Sequence, residues 1–272
     1  MNLAARCLVL PLFLSISAAA ARAEVKTKAV PYEHGGGKFT GFLAWDDAKT
    51  SDKTPQPGVL VFPEWWGNND YAHTRARQLA ELGYVALAVD MYGEGRVTKD
   101  PAQAQKWSGE LYGDVNLLRA RAQAGMAQLV AQAQVDRARI AAIGYCFGGT
   151  VALELARTGA DLCAVVAFHA GKLGSLGKPE DSARITAAVT ICHGQNDDFV
   201  SKDDIAAFHA QMKGSKHPYQ FLSYSGAVHA FTNREADSFK IPGVAYDATA
   251  DHRSWGHMRQ ALEDAFVVLR KR

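Results

Sequence analysis

The sequence predicts an α/β protein with a mostly parallel central sheet, helices on both faces and an N-terminal antiparallel hairpin. Three observations lead to this fold class. From residue 58 onward, short apolar runs alternate with helical stretches, which is typical of parallel strands joined by helices. A glycine-rich turn at residues 34–37 separates two strand-like runs near the N-terminus. A second glycine-rich segment, residues 144–149, joins an apolar run directly to a helical one.

The predicted elements follow one another in a regular order. Residues 26–45 form the hairpin, since apolar and polar side chains alternate in its second half, and the polar residues 46–57 form a surface loop. Parallel strands are predicted at residues 59–62, 85–89, 139–143, 163–168, 188–193 and 219–224. Helices are predicted at residues 68–82, 101–107, 115–133, 150–156, 202–213 and 246–270, with Gly83 ending the first of them.

Residues 1–23 have the composition of a cleavable signal peptide. Arg6 supplies the positive charge, residues 8–16 an apolar stretch, and residues 21–23 an Ala-Arg-Ala cleavage signal. We therefore expect cleavage after Ala23, a single mature domain over residues 24–272, and a secreted protein that is periplasmic in a Gram-negative source. The rest of the chain has no run approaching the roughly 18 apolar residues of a membrane span.

The charge balance argues against nucleic acid or an anionic membrane as a partner. The full chain has 30 basic and 28 acidic side chains, and the two arginines of the leader, Arg6 and Arg22, are lost on cleavage. The mature domain then has 28 of each sign and a formal net charge of zero. A small-molecule partner is expected instead, and the sequence predicts no particular oligomeric state.

Three cysteines remain in the mature domain: Cys146, Cys163 and Cys192. Cys163 begins one predicted strand, whereas Cys192 closes the neighbouring one. This offset exceeds the separation of about 5.5 Å between Cα atoms that a disulfide requires. We expect Cys163 and Cys192 to be buried thiols.

Residues 144–149, Gly-Tyr-Cys-Phe-Gly-Gly, carry the first chemical signal. A strand that turns sharply into a helix at Gly-x-nucleophile-x-Gly is the nucleophile elbow of the α/β-hydrolase fold, here with Cys146 in place of serine. A position at a helix N-terminus favours the thiolate form. The Phe147 N–H is then one oxyanion-hole donor, and the Trp65 N–H, from the loop after the strand at 59–62, is the predicted second donor.

Polar residues follow three further predicted strands. Glu64, Asp197 and His229 each lie just past a strand, where the ligand sites of parallel sheets collect. The order cysteine, acid, histidine is the chain order of an α/β-hydrolase triad, which makes His229 the general base and Asp197 its partner. The adjacent Asp198 is an alternative to Asp197, or a cap of the following helix.

Four segments together resemble the dienelactone hydrolase family. They are Gly-Tyr-Cys-Phe-Gly-Gly at 144–149, Pro-Glu-Trp-Trp-Gly at 63–67, His-Gly-Gln-Asn-Asp at 193–197 and Gly-Ala-Val-His-Ala-Phe at 226–231. The resemblance covers nearly the whole mature chain and implies a catalytic triad of Cys146, Asp197 and His229. It also implies that Glu64 holds the resting thiol and shifts when substrate arrives.

The same comparison indicates a substrate other than the anionic dienelactone of the family's best-known enzyme. The family's dienelactone enzyme grips a substrate carboxylate with two arginines, and their places are occupied here by Asn233 and Glu94. Arg96 and Arg234 are nearby substitutes. An apolar pocket is expected instead, and its predicted lining comprises Trp65, Trp66, Tyr92, Phe147 and Phe231, with Asn233 beside them.

The sequence therefore predicts a hydrolase of lactones or small activated esters that acts through a thioester on Cys146. No metal and no other cofactor is predicted, because no ligand spacing or nucleotide motif is present. Two alternatives remain open. One is a peroxide-responsive thiol protein in which Cys163 or Cys192 resolves an oxidised Cys146, and the other is an inactive binding protein on the same fold.

Overall fold

A computed structural model describes residues 24–215 and 218–268. The predicted signal peptide, residues 1–23, lies outside the described residues. Within the described ranges, every helix is too short or too polar to cross a membrane.

The core of the molecule is one sheet of eight strands in the order β1-β2-β4-β3-β5-β6-β7-β8. Its strands are β1 (Val25–His34), β2 (Gly37–Asp46), β3 (Gln56–Phe62), β4 (Val85–Ala88), β5 (Val135–Tyr145), β6 (Ala164–Phe168), β7 (Ala188–Gly194) and β8 (Tyr219–Tyr224). The first two strands form an antiparallel hairpin and β2 pairs antiparallel with β4, while the other pairings are parallel. This architecture confirms the predicted fold class.

Within the described residues, six α-helices cover the two faces of the sheet. They are α1 (Asp70–Glu81), α2 (Pro101–Gly113), α3 (Val115–Val130), α4 (Phe147–Arg157), α5 (Lys202–Met212) and α6 (Ala248–Glu263). Side chains of α1 and α6 pack in one core layer, and those of α2 to α5 pack in the other. Strand β5 serves both layers, because Ile140 and Ala142 face one of them and Ala141 and Ile143 the other.

The main difference from the predicted elements is the length of α2. The prediction ended this helix at residue 107, and the structure extends it to Gly113, where Asp114 caps the start of α3 by accepting from Leu117 N. Gly109, the first of the two glycines in α2, does not have the positive φ that ends helices, so the helix continues through it. The chain is therefore helical on both sides of Asp114, and α2 reaches the site described below.

The two structural thiols lie far apart along their strands. The register pairs Cys192 with Phe168, five positions beyond Cys163, as the offset predicted. Cys192 is fully buried, whereas Cys163 is only half-buried, so the prediction of burial was wrong for Cys163. Cys163 lies just before β6 begins, where the edge of the sheet is less well covered than its centre.

Candidate active site

The turn between β5 and α4 places Cys146 at the carboxyl end of the central strands. Its backbone has φ of 52° and ψ of −118°. This conformation is strained for any residue other than glycine. Two glycines allow the turn to close. A Cβ on Gly144 would lie 1.9 Å from Gly148 O, and one on Gly148 would lie 2.1 Å from Phe62 O. The sharp turn and its glycines match the predicted elbow.

Cys146, His229 and Asp197 form a hydrogen-bonded row. Cys146 Sγ is 3.0 Å from His229 Nε2, and His229 Nδ1 is 2.8 Å from Asp197 Oδ2. Both nitrogens of the imidazole are therefore engaged, one by the sulfur and the other by a carboxylate. This is the geometry of a nucleophile, its base and an orienting acid.

The structure distinguishes the two adjacent aspartates. Asp197 is buried, and its second oxygen accepts a hydrogen bond from Phe199 N at 3.0 Å. Asp198 is exposed. Helix α5 is capped by Ser201, which accepts from Asp204 N, so the capping role suggested for Asp198 was wrong. Only Asp197 is brought to the histidine.

The charged form of His229 is favoured by its neighbours. Burial alone disfavours an imidazolium, but the negative charges expected on Cys146 and Asp197 and the hydrogen bonds to both outweigh burial. The pKa of His229 is raised well above its ordinary value. The surroundings therefore favour the protonated imidazole of His229.

Glu64 lies beside this row, on the loop after β3. Its Oε2 accepts a hydrogen bond from Asn233 Nδ2 at 2.7 Å, while its buried Oε1 has no hydrogen-bond partner among the described residues. Burial raises the pKa of Glu64 to about 7, against the smaller opposing effects of Asn233 and His229. Glu64 is one of the residues that line the cavity, and Cys146 Sγ is hydrogen-bonded to His229 and not to Glu64.

The two N–H groups predicted for the oxyanion hole belong to Phe147 and Trp65. Phe147 is the first residue of α4, and within the described chain neither its N–H nor that of Trp65 donates to a protein acceptor. The Tyr92 hydroxyl donates to Trp65 O at 3.0 Å, in the peptide that follows the Trp65 N–H. The Tyr92 ring also packs against the Phe147 ring, with 5.7 Å between ring centroids. Tyr92 therefore contacts both residues whose N–H groups are the predicted donors.

A histidine that the sequence reasoning missed lies directly beneath the thiol. His169 is fully buried, and its Nδ1 accepts a hydrogen bond from Cys146 N at 3.1 Å. Its other nitrogen, Nε2, lies 2.6 Å from Thr232 Oγ1. The signal was available, because His169 immediately follows β6, and the other site residues were found by their positions just after strands.

A cavity of about 380 Å³ opens above Cys146. Aromatic and aliphatic side chains form most of its wall, and Lys172 is its one lysine or arginine within the described chain. Its lining includes Trp65, Trp66, Tyr112, Phe147, Phe199, Phe239, Ile241 and Val244, with Gln105 and Ser108 from α2. The apolar character agrees with the expectation from the sequence, although α2 and residues 239–244 were not foreseen as walls.

Three predicted pocket residues lie behind the wall instead of on it. Tyr92 holds the Trp65 peptide, and Asn233 holds Glu64. Phe231 is fully buried and packs against the ring of His169, with 5.2 Å between centroids. The fourth predicted pocket residue, Trp66, does line the cavity.

The suggested replacements for the missing arginines are not at the cavity. Arg96 pairs with Glu94 at 2.7 Å on the surface, and Arg234 lies over the Tyr246 ring at 6.0 Å. Neither is part of the cavity lining in the described residues. Across residues 24–215 and 218–268, His, Cys, Asp and Glu side chains form no group of three suited to a metal ion.

Comparisons with known proteins agree with this geometry. The family model described as "Dienelactone hydrolase family" matches residues 46–266. A solved structure of a dienelactone hydrolase-like promiscuous phosphotriesterase from metagenomic libraries is 43% identical, with a TM-score of 0.85, and the match covers 90% of this chain and 100% of that one.

Two curated relatives extend the comparison. An uncharacterised protein from Caenorhabditis elegans is 33% identical over 151 residues, which are 55% of this chain and 95% of the relative. A Bradyrhizobium protein named as a probable 2-oxo-3-(5-oxofuran-2-ylidene)propanoate lactonase is 29% identical over 191 residues, 68% of this chain and 77% of the relative. The chain therefore belongs to the dienelactone hydrolase family and is a hydrolase of lactones or esters.

Proposed function

We propose that the protein hydrolyses neutral lactones and small activated esters through a thioester formed on Cys146. The observation that carries this proposal is the 3.0 Å contact between Cys146 Sγ and His229 Nε2 at the floor of the cavity. A thiol held against an imidazole at the start of a helix readily loses its proton. Asp197 orients that imidazole through its other nitrogen.

In the first half of the reaction, Cys146 Sγ attacks the carbonyl carbon and the thiol proton resides on His229. The carbonyl electron pair moves to oxygen, where the N–H groups of Phe147 and Trp65 are suited to receive the negative charge. Collapse of this intermediate breaks the bond to the alcohol or enol oxygen, which takes the proton from His229.

In the second half, water resolves the thioester. His229 Nε2 removes a proton from the water, and the water oxygen attacks the thioester carbon. The carbon–sulfur bond breaks, the acid is released and the proton returns to the Cys146–His229 pair. Atoms balance to one water consumed for each ester or lactone bond cleaved.

The thiol restricts the leaving groups that can be cleaved. A thiolate leaves more readily than an amine, so an amide intermediate returns to substrate unless its nitrogen is first protonated. Enol esters, lactones and aryl esters carry leaving groups that compete with the thiolate. The proposed substrates are therefore esters and lactones of acidic alcohols.

Glu64 is proposed as the fourth member of the site. Its pKa of about 7 allows it to exchange a proton near neutral pH. Glu64 lines the same cavity as the thiol, and its buried Oε1 has no hydrogen-bond partner among the described residues. The resemblance to the dienelactone hydrolase family implies that this residue holds the resting thiol. We infer that the contact of Glu64 with Asn233 represents the other position of the carboxyl, taken when the thiol is engaged by His229.

The experiment that tests the proposal replaces Cys146 with alanine. The C146A variant is expected to keep the unfolding temperature of the wild type and to lose turnover of p-nitrophenyl acetate. The C163A variant, in which a half-buried thiol away from the cavity is removed, is the matched control and should retain activity. Mass spectrometry of quenched wild-type enzyme should find an acyl group on Cys146. Full activity of C146A would disprove the assignment.

The buried thiol Cys192 favours hydrolysis over the peroxide-responsive alternative. Burial raises the pKa of Cys192 to about 12, so it is protonated and unsuited to attack an oxidised Cys146. Peroxide treatment is expected to leave no reducible intramolecular disulfide, as measured by mass before and after reduction.

A further inference from the structure

The buried imidazole of His169 has no part in the reaction described above. It is the residue that follows β6, its φ is 38°, and its own N–H donates to Cys192 O at 2.8 Å. That positive φ turns the ring back from the strand toward the elbow. A histidine in a strained backbone conformation at the centre of a site calls for a functional explanation.

The hydrogen bonds of His169 define which nitrogen carries the proton. Nδ1 accepts from Cys146 N at 3.1 Å, so it has no proton, and the neutral ring must carry its proton on Nε2. Nε2 therefore donates to Thr232 Oγ1 at 2.6 Å. Burial, together with the positive charges on His229 and Arg75, lowers the pKa of His169 well below its ordinary value, which keeps the ring neutral.

Thr232 is itself immobile. It belongs to the His229 loop, residues 225–235, which follows β8. Its hydroxyl is 2.7 Å from Tyr71 OH, and its carbonyl accepts from Arg75 Nη2 at 2.7 Å. Arg75 in turn pairs with Asp251 at 2.6 Å. His169 thus bonds on one side to the strained elbow and on the other to a loop anchored by α1 and α6.

The Cys146 amide needs such a partner. Its N–H is shared between two acceptors at the end of β6, Phe168 O at 3.0 Å and His169 Nδ1 at 3.1 Å. Because the peptide of Cys146 fixes both the direction of its side chain and that of the next N–H, a small rotation there would move the thiol and the Phe147 donor together.

We propose that His169 is a positioning residue that holds the Cys146 amide with Nδ1 and the His229 loop with Nε2, and so fixes the distance between thiol and base. This inference rests on the proposed function, since it takes Cys146 as the nucleophile and His229 as its base. Among the described residues His169 does not itself line the cavity, and it contacts two residues that do, Cys146 through the backbone N–H and His229 ring to ring, with 5.3 Å between centroids.

The test uses two amide replacements that each reproduce one nitrogen. The amide of asparagine reaches the Nδ1 position, so His169→Asn keeps an acceptor for the Cys146 N–H. The amide of glutamine reaches the Nε2 position, so His169→Gln keeps only the contact with Thr232. We expect H169Q to lower kcat about 100-fold with KM within about twofold, and H169N to retain kcat within about fivefold.

The contact with Thr232 is tested by a double-mutant cycle. Thr232→Val keeps the shape and removes the acceptor; like H169N, which loses the same contact, it should lower kcat by no more than about fivefold in the wild type and add little to His169→Ala. His209→Asn is the matched control, because His209 also bonds through Nδ1, to Tyr219 OH at 3.0 Å, but lies on α5 away from the cavity. It should leave kcat unchanged.

The rate of Cys146 alkylation by iodoacetamide, followed on the isolated peptide, separates this proposal from the proposed function. That rate needs no substrate, and H169Q should lower it about tenfold relative to H169N. Equal losses in H169N and H169Q that follow the unfolding temperature would overturn the positioning role. Retained hydrolysis in C146A would overturn the proposed function and leave the alkylation result valid.

Discussion

At the residue scale, the Glu64 carboxyl combines burial, one hydrogen bond and a buried oxygen without a hydrogen-bond partner among the described residues. Its pKa of about 7 exceeds the value of 4.5 expected in the unfolded chain. An acid whose folded pKa is raised binds its proton more tightly when folded. Its ionisation therefore costs stability as the pH rises from 4.5 to about 7.

Replacing Glu64 with glutamine should remove this cost. The free energy of unfolding of E64Q relative to the wild type is expected to rise by about 2 to 3 kcal/mol between about pH 5 and about pH 8. Urea unfolding at the two pH values measures the difference. Glu94→Gln, at an exposed side chain paired with Arg96, is the control and should give the same difference at both values. A pH-independent difference for E64Q would contradict the raised pKa.

The two adjacent aspartates allow a second comparison of single residues. Asp197→Asn keeps the shape of the side chain but replaces the carboxylate that receives the proton of His229 Nδ1. We expect kcat to fall about 10³-fold or more, because the ring loses its orientation and the partner that stabilises its charge. Asp198→Asn changes an exposed neighbour and should keep wild-type kcat. Steady-state kinetics on one aryl ester decide between the two, and similar losses in both variants would contradict the assignment of Asp197.

At the element scale, the close approach of α4 to β3 determines the shape of the elbow. Gly148 lies so near β3 that its replacement by alanine would put a Cβ 2.1 Å from Phe62 O. Backbone atoms cannot move aside as a side chain can. We expect G148A to lose about 3 kcal/mol or more of stability and to lose activity with it.

The control for this prediction is a glycine in an open position. Gly256 lies within α6, and a Cβ added there would meet nothing within 4 Å. Because alanine is the better helix former, G256A should gain about 1 kcal/mol in urea unfolding. A stable, active G148A would show that the elbow tolerates a wider turn than its geometry indicates.

At the scale of the whole molecule, the charge of the cavity leads to a prediction about substrates. Among the described lining residues, Lys172 is the one lysine or arginine, and it lies at the exposed rim. A substrate carboxylate would leave water for apolar walls without the paired arginines that could replace its hydration.

Neutral substrates should therefore be hydrolysed faster than their carboxylated counterparts. We expect kcat/KM to be at least about tenfold higher for a neutral lactone than for the same ring carrying a carboxylate. Lys172→Met should lower the rate for the carboxylated compound and leave that for the neutral one unchanged. A preference for the carboxylate would show that the cavity binds anions by other groups.

Much of this arrangement could be predicted from the sequence, because strand periodicity and turn chemistry are local properties. The ends of the strands located Cys146, Asp197 and His229 within one region, and the structure brings them together. The choice of Asp197 over Asp198 needed the structure, since adjacent side chains differ in direction and not in spacing.

What the sequence could not provide was the order of packing behind the cavity. Tyr92, Phe231 and Asn233 are near the cavity in the fold, but whether a side chain reaches the surface depends on what lies in front of it. The sequence places Asn233 where the family's enzyme has an arginine, and in the structure its side chain donates a hydrogen bond to Glu64. Partners separated by 169 residues in the chain, as these two are, cannot be matched by local pattern.

The order of the strands also sets the time at which the thiol gains its base. Cys146 follows the central strand β5, whereas His229 follows β8, the last strand and the one that completes the sheet against β7. During synthesis, the ribosome makes Cys146 83 residues before its hydrogen-bond partner His229. Under the proposed function, a nascent or truncated chain lacking the residues beyond β8 carries a cysteine without its base, and hydrolysis begins only after the sheet is complete.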